Sequence, residues 1–275
     1  GSGNWGNTAR AFEGADLSWR IDATVARLFA LQPLERTGGK SAEEYRIFGA
    51  GANFTKVGLE LLGLYEDDSD PAYIEQDRLD RISLGVYFTR KFGRSDIVVN
   101  GAYQLGDMRW TASQAVAQDI AAYMWTAEYG LSFAASTKPR LAIGIDYTSG
   151  DTDTTSGNMS SYDNLFYTSH KSRGFMDYFT NSNVENFRGM IDLMARGKLE
   201  PAPGWTLLAD IHRFATAVES DEALGWEIDL TAASTRVKGM KLDLGASVFL
   251  PSEAYARTID PDPGFWMYTS VTVDF

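Results

Sequence analysis

Apolar and polar residues alternate along most of this sequence, and that alternation limits what the chain can become. In the stretch Ile82 to Phe88, residues Ile82, Leu84, Val86 and Phe88 share one side, while Ser83, Gly85 and Tyr87 share the other. A period of two belongs to a strand with two unlike faces, whereas a helix repeats near 3.6. The same pattern puts Tyr123, Trp125, Tyr129 and Leu131 opposite Met124, Thr126, Glu128 and Gly130. It also sets Trp226, Ile228 and Leu230 against Glu227, Asp229 and Thr231. About thirteen such segments follow one another, each roughly 10 to 16 residues long, the length at which tilted strands cross a bilayer.

The polar face separates two classes of all-β protein. A soluble sandwich turns its polar face to bulk water and fills it with Lys, Glu and Thr. Here that face mixes Gly, Ser and Ala with isolated charges, and the apolar face carries large aromatics near the strand ends. An apolar outside with ring girdles and a polar inside describes a transmembrane antiparallel β-barrel of the outer-membrane type. No apolar run approaches the roughly 18 residues of a membrane-spanning helix. The chain contains no cysteine, so disulfide and thiolate chemistry are excluded. Its net charge of −12 argues against a nucleic-acid partner.

Connections alternate in length. Short ones fall at Asp22-Ala23, Thr55-Lys56, 92–95, 135–139, 201–204 and 237–239. Long ones cover about 33–43, 66–79, 107–118, 149–184, 216–224 and 251–264. Short periplasmic turns and long outer loops are the outer-membrane rule, so residues 1–275 read as one barrel domain with a long outer loop at 149–184. The last strand runs to Phe275, which reads as a membrane-facing side chain and as a signal to the barrel assembly machinery. Counting back from Phe275, the first strand (Arg10 to Ile21) runs down from the outside. Single-chain bacterial barrels have even strand counts, so an odd number of strands is expected before Gly1.

Two stretches carry a family resemblance. Residues 2–21, SGNWGNTARAFEGADLSWRI, resemble the loop and strand after the fifth strand of alginate-export outer-membrane porins. Residues 162–179, YDNLFYTSHKSRGFMDYF, resemble that family's long-loop motif N-x-L-F-P-T-x-H-K-x-x-G-x-M-D-x-F, with Tyr167 standing where the family has proline. The segments LLADIHRFATA and GWEIDLTAAS resemble the two strands that follow. The resemblance spans residues 4 to 275. It implies an eighteen-stranded monomeric barrel of which this chain supplies the last thirteen strands, the missing five agreeing with the odd number that strand direction requires. It also implies a bacterial outer-membrane location, with membrane lipid as surroundings and an anionic saccharide as cargo.

Parity assigns the inner face. Arg20, Arg27, Arg81, Arg140, Arg188 and Arg196 are the expected pore-lining cations, with Asp146, Asp192 and Asp210 among the facing acids. Arginine stays charged and forks to carboxylates, which suits passage of anions. The same charges also suit a ladder of cross-strand ion pairs that holds the wall together. In the long loop, Lys171 and Arg173 are candidates for anion contact, and its aromatics Tyr162, Phe166, Tyr167, Phe175, Tyr178 and Phe179 are expected to pack on the inner wall or on each other.

Asp210 and His212 share a face two residues apart, which raises an outer-membrane hydrolase as an alternative. No serine is placed beside them by the sequence, so a lumen hydrogen bond is the expected role. No metal-ligand spacing or phosphate loop is present, and no cofactor is expected. The sequence therefore reads as a porin-like channel for a polar, anionic saccharide or small solute. A barrel enzyme and a plugged structural or assembly barrel are the alternatives.

Overall fold

The computed structural model describes residues 11–34, 45–69, 78–109, 118–153, 157–165, 173–179, 187–218, 223–256 and 262–273. The chain forms β1 (Phe12–Ile21), β2 (Thr24–Pro33), β3 (Tyr45–Phe54), β4 (Leu59–Asp68), β5 (Arg78–Phe92), β6 (Ser95–Arg109) and β7 (Gln118–Ser132). It continues through β8 (Arg140–Thr148), the two-residue β9 (Asn158–Met159), β10 (Met190–Leu199), β11 (Trp205–Ala215), β12 (Ala223–Ser234), β13 (Met240–Pro251), the short helix α1 (Glu253–Ala256) and β14 (Gly264–Val273). Thirteen of these are the long alternating segments; β9 and α1 lie in long connections and carry no alternation of their own.

Among the described residues, one sheet holds every strand. Its hydrogen-bonded path follows chain order from β1 to β14, with β9 alone off the path, pairing parallel to β7. All other neighbours are antiparallel, so β1 and β14 run in the same direction, and among the described residues they do not pair with each other. The connections keep the alternation of lengths. Asp22, at φ 51°, supplies the left-handed residue of the tight hairpin between β1 and β2.

Burial is inverted relative to a water-soluble domain. Leu84, Leu141, Ile143, Leu230, Phe265 and Met267 are among the most exposed large apolar side chains, reaching 79% at Met267. Glu66, Arg81, Gln104, Asp146, Asp192, His212 and Glu227 are buried. Among the described residues, buried apolar side chains form two clusters. One cluster joins Phe179, Met190, Phe214, Leu224, Phe249 and Tyr255; the other joins Ile120, Ala122, Met124 and Tyr162. Among the described residues no helix is long and apolar enough to cross a membrane; the elements of crossing length are strands.

Candidate functional site

The register carries one face through the whole sheet. Arg27 lies opposite Ser18 and Gly51; Arg81 lies opposite Glu66 and Gly106; Thr126, Asp146 and Asp192 form one cross-strand row. Arg196, Asp210 and Asp229 form another, and Met194, His212 and Glu227 a third. Because directly opposed residues share a face, Arg20, Arg27, Arg81, Arg140, Arg196, Asp146, Asp192, Asp210 and His212 all lie on the inner face. Arg188 does not lie in a strand: it precedes β10, and its carbonyl accepts the backbone N–H groups of Ala217 and Val218. The positive φ of Phe187 and Gly189, 70° and 67°, breaks the ladder on either side of it. Lys171 and Phe275 lie outside the described residues, as do Phe166 and Tyr167.

The half-open part of this face is built on Glu128. Arg140 Nη2 donates to Glu128 Oε1 at 2.7 Å and to Asp96 at 2.5 Å, and Arg140 Nε donates to Asp96 at 3.0 Å. Arg196 Nη1 donates to Glu128 Oε2 at 2.9 Å, with Asp210 at 3.8 Å from its Nε. Gly130 leaves the space that the Arg140 guanidinium fills, since a Cβ there would collide with it. The arginines therefore pair, Arg140 with Asp96 and Glu128 and Arg196 with Glu128. Asp96 and Glu128 meet the guanidinium forks, an ion-pair ladder of the kind that bridges strands. At the β1–β2 edge, Arg27 forks onto Asp16, with Nε at 2.8 and 2.9 Å from its two oxygens. Arg20 is exposed there.

Above this ladder lies a closed cluster. His212 Nδ1 is 2.8 Å from Asp192 Oδ2, and His212 Nε2 is 3.8 Å from Asp229. Its ring stacks on Phe214 at 5.5 Å. The partner of His212 is thus Asp192 on the adjacent strand, not Asp210 two residues away: alternate residues on one strand stand about 7 Å apart, while cross-strand neighbours come within hydrogen-bond reach. Arg173, expected to reach solute from the loop, is instead buried at 1% exposure, 3.8 Å from Asp146. A desolvated guanidinium is held where carboxylates surround it.

The long connection lies on this inner face. Glu227 accepts the Met176 N–H at 2.9 Å. Gly174, at φ 80°, brings the backbone so close to that carboxylate that a Cβ would collide with it. Phe179 packs on Phe214 and Phe249, Tyr178 stacks on Phe249 at 4.2 Å, and Phe175 meets the edge of Tyr268. Nearer β5 and β6, Arg81 joins Glu66 at 2.9 Å and Asp163 at 2.8 Å. Gln104 donates to the Asp163 carbonyl and accepts its N–H. Tyr162 lies over Ile120 and Met124, and burial pushes its phenol up, so it stays neutral. Sequence reasoning did not single out Glu66, Asp96, Gln104 and Asp163. Strand parity would have found Asp96 and Gln104; Glu66 was missed because residues 66–79 read as a connection whereas β4 runs on to Asp68, and Asp163 has no periodic signal because it lies in a loop.

A sheet with an apolar exterior, a charged interior and a loop folded onto the inner wall defines a porin-like channel of the bacterial outer membrane, a β-barrel protein that passes solutes passively. This chain belongs to the alginate export family, which matches residues 1–263. No curated protein sequence matches it. The fold is similar to that of Pseudomonas aeruginosa OpdL, with 13% identity, a TM-score of 0.54, and coverage of 98% of this chain and 74% of that one. It is similar to P. aeruginosa OccK5 (OpdH) at 12% identity and a TM-score of 0.57, covering 100% and 74%. It is also similar to P. aeruginosa OpdK, solved with vanillate, at 10% identity and a TM-score of 0.55, covering 96% and 68%.

Proposed function

We propose that the channel conducts a polar, anionic saccharide or small anionic solute, and that Arg140 and Arg196 are the side chains such a solute meets. One observation carries this. Both arginine side chains are 26% exposed, whereas their partners Glu128 and Asp96 are only 15% and 16% exposed. The guanidiniums thus stand toward the open side with carboxylates tucked behind, and a fixed guanidinium keeps spare N–H donors for a passing carboxylate. The chain belongs to the alginate export family, alginate being an anionic polysaccharide, and the similar OpdK was solved with vanillate, a carboxylate. Transport is passive and no step of catalysis is assigned to Asp210 or His212. The protein works as a monomeric barrel inserted by the assembly machinery. Planar-bilayer recording under a salt gradient tests the proposal: a reversal potential of anion-selective sign is expected, and cation selectivity overturns it.

A plugged lumen is the second reading, favoured by the loop residues Phe175 to Phe179 lying on the inner wall. Absence of any single-channel conductance in a fully folded protein would favour it.

A further inference from the structure

We propose a phospholipid site on the outer face, at the periplasmic ends of β8 and β10 to β13, that seats an acyl chain of an anionic phospholipid. The sheet carries a groove of about 570 Å³ here. Register explains it: Leu141, Gly197, Ala209, Leu230 and Ala246 form one cross-strand row, so small residues lie between leucines on neighbouring strands. With strands about 4.8 Å apart, the notch over Gly197 and Ala209 is roughly the width of a hydrocarbon chain. Its leucines Leu141, Leu199, Leu207, Leu230 and Leu244 lie on the face opposite the charged interior, and a groove of this chemistry in a membrane-embedded wall is filled by lipid hydrocarbon.

Charge at the groove's end selects the headgroup. Three short turns meet there, joined by hydrogen bonds from Glu200 N–H to the Thr137 carbonyl and from Thr235 N–H to the Gly204 carbonyl. Short turns mark the periplasmic side. Lys138 is held by Glu200 at 2.6 Å, and Lys241 by Asp243 at 2.8 Å. Arg236 and Lys238 are exposed, and no ion pair engages them among the described residues. The Arg236 stem lies against Gly204, next to Trp205 on the groove side of β11. A chain of net charge −12 thus carries free cations at the end where phospholipid phosphates lie, with exposed Val237 between them. Basic residues near an anionic bilayer surface attract its headgroups, and tryptophan favours the same depth.

The test is native mass spectrometry of the full chain released from detergent containing equal phosphatidylglycerol and phosphatidylcholine. The wild type is expected to retain one phosphatidylglycerol through delipidation. Ala209→Phe, which fills the notch, is expected to lose it, while Ala26→Phe on a distant outer strand keeps it. Arg236→Gln with Lys238→Gln, which leaves the groove intact, is expected to lower the preference for phosphatidylglycerol about tenfold or more. Heat-modifiable gel migration reports folding of each variant. Equal retention in folded Ala209→Phe, an unchanged preference in the double variant, or replacement of the phospholipid by lipopolysaccharide overturns the proposal.

Discussion

Arg140 and Arg196 hold the two oxygens of a single carboxylate, that of Glu128, at 2.7 and 2.9 Å. The two cations are brought together by one anion between them, so the potential their neighbourhood presents depends on that carboxylate. Glu128→Gln is expected to shift the reversal potential toward anions, and Arg140→Glu with Arg196→Glu toward cations. Both shifts should shrink as salt rises, because the Debye length falls from about 30 Å at 0.01 M to about 3 Å at 1 M. Reversal potentials at several ionic strengths measure this.

The loop cations are expected to contribute less than the ladder. Arg173 is sealed against Asp146, so Arg173→Glu should impair folding or loop closure before it alters selectivity. Arg173→Gln in a folded protein is expected to leave the reversal potential nearly unchanged, in contrast to Arg196→Gln. A larger shift from Arg173→Gln would place selectivity in the loop.

Glu66 is buried against Arg81, whose own exposure is 3%. Glu66→Ala leaves that guanidinium short of its partner, and breaking a buried pair from one side costs about 3–5 kcal/mol. The temperature at which heat-modifiable migration is lost should fall clearly. Asp163→Asn, at the half-exposed end of the same network, should lower it much less, while increasing current fluctuations as the loop loosens.

The outer face gives a sharper contrast. Leu84 is 54% exposed on the apolar side, and Leu84→Arg is expected to cost about 2–4 kcal/mol at mid-membrane and to impair assembly. Ser270→Arg, on the inner face of β14, is expected to be tolerated. Ser83, although on the inner face, is buried at 5% exposure, so parity alone overstates how freely an arginine fits there. Yield of folded protein in outer-membrane fractions decides each case.

A period of two made the strands, their faces and their inside-out burial legible in the sequence, because strand geometry sends alternate side chains to opposite sides whatever the neighbours are. Turn residues and loop lengths gave the hairpin connections for the same local reason. Parity likewise placed Arg81, Arg140, Arg196, Asp192 and His212 on one face. Which of them touch was decided by the tertiary structure alone. Partnership depends on the stagger between strands, and a shift of two residues keeps every face assignment while changing every pair; so His212 met Asp192, and Arg140 met Asp96 and Glu128. The loop carried no periodicity at all, and its seat was set by contacts far apart in sequence: Asp163 on Arg81, Met176 on Glu227, and Phe179 in the apolar cluster with Phe214 and Phe249.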